Sequence, residues 1–287
     1  MTGPTRRWCV ALAGAAVLLL GACSSDGGGD GDGAADGGDA AAAPSSAVPT
    51  VPEQLDTVQA GSLTACVDVP NLPYAFEEAG QVAGVSADLV RALGGRLARP
   101  AAFVDVEPGD LLGALQEGRC DLVASSLVAG TGLPDGLVFS DPYLTVEQSL
   151  LVRGTDQDRY RDLASLRGRR IGVLPATAGA ELARSSAPDA TVVSFDAPDP
   201  LFAALDGGEI DGVVADYPVN AHQATTSGRS VVVATFPAAP TRALALVLPD
   251  ADPAFVAAVD GALGQVTADD TFPTVLRRYL GTAPQPG

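Results

Sequence analysis

A strand, helix, strand, helix, strand pattern runs from residue 62 to residue 127, and a similar pattern begins again at residue 169. Short β-branched runs alternating with amphipathic stretches close as a mostly parallel sheet with right-handed crossovers. Running through the pattern twice therefore predicts two sheets with a cleft between them. SLTACVDV (62–69) reads as a buried strand that ends in Asp68 and opens into a loop at the breakers Pro70, Asn71 and Pro73. SADLVRALGGRLAR (86–99) sets Leu89, Val90, Leu93 and Leu97 on one helical face, with Ser86 as N-cap and Asp88 in the first turn. Gly94 and Gly95 weaken its second half. A strand at 102–106, a helix at 111–117 and a strand at 121–127 complete the first set. RRIGVLPATAGAEL (169–182), ATVVSF (190–195), PLFAALDGGE (200–209) and IDGVVAD (210–216) make the second. Two β-rich stretches can join the halves, EQSLLVRG (147–154) outward and RALALVLP (242–249) back, and the tail is helical and returns to the first half.

The beginning of the chain is of another kind. Arg6 and Arg7 precede an apolar run at 10–20 that closes on Gly21 and Ala22, which is the pattern of a signal peptide over residues 1–22. About eleven apolar residues are too few for a permanent span of a ~30 Å hydrocarbon core, which needs roughly 20. Residues 24–50 consist almost wholly of Gly, Ala, Asp, Ser and Pro, and such a segment cannot bury enough apolar surface to offset its ordering entropy. Residues 23–57 are expected to form a linker with an end-to-end reach of ~30 Å.

Composition narrows the partners. The formal net charge of −18 becomes −20 without the leader, and five linker aspartates leave about −15 on the folded body. Such a body repels nucleic acid and anionic lipid alike. The basic residues are all Arg. Two cysteines beyond Cys23 and a single histidine give no zinc spacing, so no metal and no cofactor is implied. Outside the cytoplasm Cys66 and Cys120 either pair, closing a loop of about 54 residues, or stand as two buried free thiols. His222, beside Asn220 and Gln223, reads as a solvated helix residue without a role.

Two resemblances add to this reading. LGAC (20–23) resembles the lipobox of bacterial lipoproteins, which implies cleavage before Cys23 and a diacylglycerol thioether on its sulfur; the alternative is a soluble secreted protein cut after Ala22. From about Leu63 to Gly281 the body resembles the amino-acid-binding solute-binding proteins of ABC importers. FSDPYL (139–144), LLGALQEGRCDLVASSL (111–127), LASLRGRRIGVLPATAGAEL (163–182), LDGGEIDGVVAD (205–216) and LGQVTADDTFPTVLRRYLG (263–281) carry that resemblance in order. It implies the type II periplasmic binding protein fold, an α/β fold of two lobes joined by two hinge strands, with a ligand cleft between the lobes. Lobe 1 is then residues 58–150 plus 243–283, and lobe 2 residues 151–242. The resemblance further implies a small-molecule solute, a membrane permease as partner, an extracytoplasmic lipid-anchored location, a monomeric state and no catalysis.

The resemblance also carries ligand positions to Asp68, to Asn71 with Tyr74 as a substitute for the family aromatic, to Ser125 and Ser126, to Thr177 at the start of a helix, and to Asp216 as the acid for an α-ammonium. The family's carboxylate-binding Arg is replaced at or near Leu133, Pro108 stands at a frequent aromatic position, and Ala178 and Gly179 replace polar contacts. A bidentate Arg is the usual means of holding a carboxylate. A cleft with two carboxylates and few cations suits a cationic or hydroxyl-rich solute. Arg153 and Arg242, in the linking stretches, stand as a counter-ion for these acids or as a relocated carboxylate clamp. The principal expectation is a receptor for a small polar, amine-bearing solute. The alternatives are an accessory or sensory protein of a membrane complex with a degenerate site, and an enzyme like the cyclohexadienyl dehydratases.

Overall fold

The computed structural model describes residues 55–130, 132–238 and 240–281. The expected signal peptide, Cys23 and most of the linker lie outside the described residues. The fold takes up the chain before the expected linker ends, because Leu55 is already buried in the core.

In chain order the first half contains β1 (Leu63–Val67), β2 (Phe76–Glu78), β3 (Gln81–Ala83), α1 (Val85–Arg96), β4 (Ala101–Asp105), α2 (Leu111–Gln116), β5 (Leu122–Val123), β6 (Leu137–Phe139) and β7 (Leu144–Val146). The second contains β8 (Gln148–Arg153), β9 (Arg170–Val173), α3 (Ala178–Ser186), β10 (Thr191–Ser194), α4 (Pro198–Asp206), β11 (Gly212–Asp216), α5 (Tyr217–Ser227) and β12 (Ser230–Phe236). The chain closes with β13 (Arg242–Leu244), β14 (Val247–Pro249), α6 (Pro253–Ala268) and α7 (Thr271–Leu280).

Two five-stranded sheets result, in the orders β4-β1-β5-β14-β6 and β10-β9-β11-β8-β12. In each, the strands of the repeated pattern are parallel, β1 with β4 and β5, and β9 with β10 and β11. The interior strand β1 is apolar or β-branched throughout and buried along its length, as a strand covered on both faces must be. Between the sheets β7 pairs antiparallel with β13, Leu144 opposite Leu244 and Val146 opposite Arg242. The outward crossing is thus made a few residues earlier than the expected stretch at 147–154. Gln148 already begins a strand of the second sheet, so the expected border at residue 150 runs through β8.

Local expectations were met or displaced for physical reasons. α1 buries Leu89, Val90 and Leu93, and the seating of Leu93 and Leu97 in the core carries the helix through Gly94 and Gly95. Ser86 is not its N-cap. Gly84 holds that position at φ 120, where a Cβ would lie 2.3 Å from the Tyr74 carbonyl oxygen. The first N–H groups of the helix donate to the Pro73 and Tyr74 carbonyls at 2.9 and 3.0 Å, so no side-chain cap is required. Ser86 is buried instead, its Oγ 3.4 Å from the Tyr143 hydroxyl. The strand expected at 121–127 pairs as β5 only at Leu122–Val123, because beyond Ala124 the chain turns its serines toward the loop after β1.

His222 corrects a second expectation. It is buried, its Nδ1 lies 3.0 Å from the Tyr279 carbonyl oxygen, and its ring sits 5.7 Å from that of Phe76. The reason is that α7 packs on both α1 and α5, so this face of α5 meets the tail helix rather than solvent.

Cys66 and Cys120 form a disulfide with Cα atoms 5.6 Å apart, packed among Val106, Leu111, Leu115 and Val123. Next to it, Asp121 ties the entry of the chain to the first sheet. Its carboxylate accepts the Val58 and Thr64 backbone N–H groups, each at 2.6 Å. Burial raises its pKa above the usual 3.8, against the lowering effect of these hydrogen bonds. Asp121→Ala removes the acceptor of both donors and is expected to cost about 3 kcal/mol. A lower denaturant midpoint with unchanged slope is the expected reading; an unchanged midpoint would show that solvent replaces the carboxylate.

Candidate functional site

Parallel pairing of β1 with β5 sets the residues that follow each strand side by side. Asp68 and Ser125 stand abreast, and the Ser125 hydroxyl donates to the Asp68 carboxylate at 2.6 Å. One step further, the Asn71 side-chain amide donates to the Ser126 hydroxyl at 3.2 Å. These four expected positions therefore form one polar row at the carboxyl ends of the first sheet, where open α/β sheets place ligands.

In the second sheet Thr177 follows β9 and caps α3. Its Oγ accepts the Ala180 N–H at 3.2 Å and its hydroxyl donates to the Leu174 carbonyl at 2.8 Å. Helix geometry leaves the Ala178 and Gly179 N–H groups unclaimed by this cap. Gly179 has a packing reason for its identity. A Cβ there would lie 2.6 Å from the Val214 carbonyl oxygen, 3.0 Å from Gln148 Oε1 and 3.1 Å from the Ala215 Cα. The first turn of α3 can therefore sit against the end of β11 only without a side chain.

Asp216 closes β11. Its Oδ1 accepts the Gln148 side-chain amide and the Arg242 Nη1 donor, the latter at 3.2 Å. The two charged side chains are 28% and 30% exposed, so the pair is mostly shielded but open to solvent on one side. Gln148 is buried and its Oε1 has no hydrogen-bond partner among the described residues. Tyr74 is buried with its hydroxyl likewise unpartnered. Burial, then the Asp216 and Tyr143 charges, push the Tyr74 phenol well above the ordinary 10, while the Arg242 guanidinium pulls it down. The phenol is therefore a neutral group within electrostatic reach of both members of the pair. Tyr143, pushed up to about 12 by burial, stands beside it and reaches toward the Ser125 carbonyl oxygen.

Of the two arginines weighed from the sequence, only Arg242 comes to this site. Arg153 lies at the opposite end of β8, where its guanidinium is held by Asp156 at 2.7 Å and by the Leu205 and Ile210 carbonyls at 2.8 and 2.7 Å. With these partners it ties β8 to α4 and β11, and it is neither counter-ion nor clamp for Asp216. Leu133 packs against the apolar cluster around the disulfide, which gives that position a use other than ligand binding. Gln148 was not anticipated. Its only signal was a polar residue at the head of a strand, QSLLVR, whose centre at 150–152 is apolar and buried. Among the described residues no cluster of His, Cys, Asp and Glu could hold a metal ion, and no helix is long and apolar enough to cross a membrane.

Bacterial extracellular solute-binding proteins, family 3, match residues 63–282 of the chain. The chain belongs to that family. The ABC transporter arginine-binding protein 1 of Escherichia coli (strain K12) is 26% identical over 211 residues, covering 71% of this chain and 86% of that protein. The arginine-binding protein ArgT of Corynebacterium glutamicum is 29% identical over 194 residues, covering 64% of this chain and 62% of its own length. Among solved structures, an ancestral cationic amino acid solute-binding protein superposes with a TM-score of 0.70 at 26% identity, covering 78% of this chain and 97% of the other. The family 3 chain has the two-lobed type II fold of its structural neighbours, with mixed α/β lobes.

Proposed function

We propose that this protein is a lipid-anchored extracytoplasmic receptor of an ABC importer, which binds a small polar, amine-bearing, amino-acid-like solute and delivers it to a membrane permease. The observation that carries the reading is Asp216, a carboxylate at the end of β11 that is one quarter exposed and has one oxygen engaged. An incompletely paired carboxylate at a strand end is where a ligand ammonium gains a charge-assisted hydrogen bond. The row of Asp68, Asn71, Ser125 and Ser126 supplies polar contacts from the first lobe, Tyr74 an apolar wall with a neutral hydroxyl, and Thr177 with the α3 N-terminus a place for an anionic group. The solute closes between the lobes about β7 and β13, Cys23 bears the lipid, and the protein acts as a monomer without catalysis. Relatives named for arginine binding support a nitrogen-rich solute.

The test is a dye-based thermal-shift screen of the purified chain against amino acids, polyamines, betaines, sugars and small peptides. A solute at ~100 times its dissociation constant adds ~2.7 kcal/mol, which raises the melting temperature by several degrees. A shift with an amine-bearing solute is the expected result. Silence across the panel from a folded protein would remove this reading in favour of an accessory role with a degenerate site.

A further inference from the structure

The open hydrogen-bonding capacity around Asp216 is unevenly satisfied in a way that specifies a ligand. Asp216 Oδ1 receives both Gln148 and Arg242, whereas Oδ2 has no partner among the described residues. Gln148 Oε1 is a second acceptor, buried and unpartnered. The donors are equally open. A guanidinium carries five N–H groups, of which Arg242 commits one to a side chain or backbone oxygen among the described residues, and the buried Tyr74 hydroxyl stands within electrostatic reach with no partner. An open carboxylate oxygen and several guanidinium donors therefore meet at one ion pair, with the Gln148 and Tyr74 groups buried nearby. On the first lobe, Leu133 is engaged with apolar neighbours and offers no cation.

We infer that Arg242 is the specificity-determining residue for the anionic group of a zwitterionic ligand: the Asp216–Arg242 pair binds the α-ammonium and α-carboxylate of a free amino acid side by side. The inference rests on the reading of this strand-end site as the solute site. Its electrostatic reason is local neutrality. A bare amine would gather two cations around one carboxylate and leave the guanidinium and phenol donors unused. A zwitterion instead makes a four-charge ring of alternating sign, ammonium on Asp216 Oδ2 and carboxylate on the free edge of Arg242. No net charge is added, so the desolvation cost of closing on the ligand is met by new pairings. The planar fork of Arg suits this role where Lys does not. Because β13 lies between the two sheets, the carboxylate is read from the crossing strands rather than from the first lobe.

The test uses the full chain and calorimetry. The proteinogenic amino acids are screened first, and the tightest binder is then compared with its own carboxamide, which keeps the α-ammonium and loses the carboxylate charge. The wild type is expected to prefer the free acid by at least about tenfold. Arg242→Gln is expected to erase that preference by weakening the free acid alone, and Arg242→Lys to restore part of it. An undiminished preference in Arg242→Gln, or tighter binding of both ligands, would overturn the inference and make Arg242 a competitor for Asp216. Absence of binding by any free amino acid to folded wild type would overturn the inference, and binding of a polyamine or betaine in its place would leave the solute reading standing.

Discussion

Asp216→Asn is expected to weaken solute binding by about 100-fold in calorimetry while leaving the melting temperature of the free protein nearly unchanged. The substitution keeps the shape of the side chain and an oxygen that can still accept from Gln148 and Arg242, so what it removes is the charge. Hydrogen bonds to charged groups are worth about 1.5–3 kcal/mol, which corresponds to roughly 10–150-fold in affinity, and the ammonium of the proposed solute depends on this carboxylate more than on any other group at the site. Stability should move little, because the Asp216–Arg242 pair is 28% and 30% exposed and ion pairs near the surface contribute about 0.2–1 kcal/mol. Equal affinity in Asp216→Asn would sink the assignment of the ammonium to this position.

The candidate positions came from the family resemblance, and topology explains why those of the first sheet stand together. Asp216 ends β11, Asp68 and Ser125 follow β1 and β5, and parallel pairing fixes which strand ends stand together. What the sequence left open depends on which groups face each other across distant elements. Arg153 and Arg242 are alike as arginines in linking stretches, yet one is locked by carbonyls at the far end of β8 and the other meets Asp216. Gln148 gives no periodic signal, since a polar residue at a strand head is common, and its position matters because its amide donates to Asp216 while Gly179 lets α3 close over its oxygen. Ser86 has the right residue type for a cap but the wrong context, because the helix starts before it: the Pro73 and Tyr74 carbonyls receive the Val85, Ser86 and Ala87 N–H groups, and the Gly84 carbonyl receives that of Asp88. His222 has the composition of an exposed helix around it and is buried by α7 together with Phe76 of β2, whose approach to that face no local pattern encodes.

Removing the Cys66–Cys120 bond, as in the double substitution Cys66→Ala with Cys120→Ala, is expected to lower stability by about 4 kcal/mol. The bond closes a loop with a sequence separation of 54, and the chain-entropy relation for a loop of that size gives this magnitude at 25 °C. For a folded body of this length, that corresponds to a melting temperature lower by about 10 °C. Solute affinity measured well below the transition should stay within about threefold of wild type. The disulfide joins β1 to the turn before β5, but the carboxyl ends of these strands are aligned by their own pairing, Ala65 with Leu122 and Cys66 with Val123, and by the Ser125 to Asp68 hydrogen bond. A variant that melts early yet binds normally would assign the bond to holding the first sheet together. A variant that melts as wild type would show that the reduced chain loses no cross-link entropy, and one that loses binding below its transition would mean that the disulfide, and not strand pairing, sets the spacing of Asp68 and Ser125.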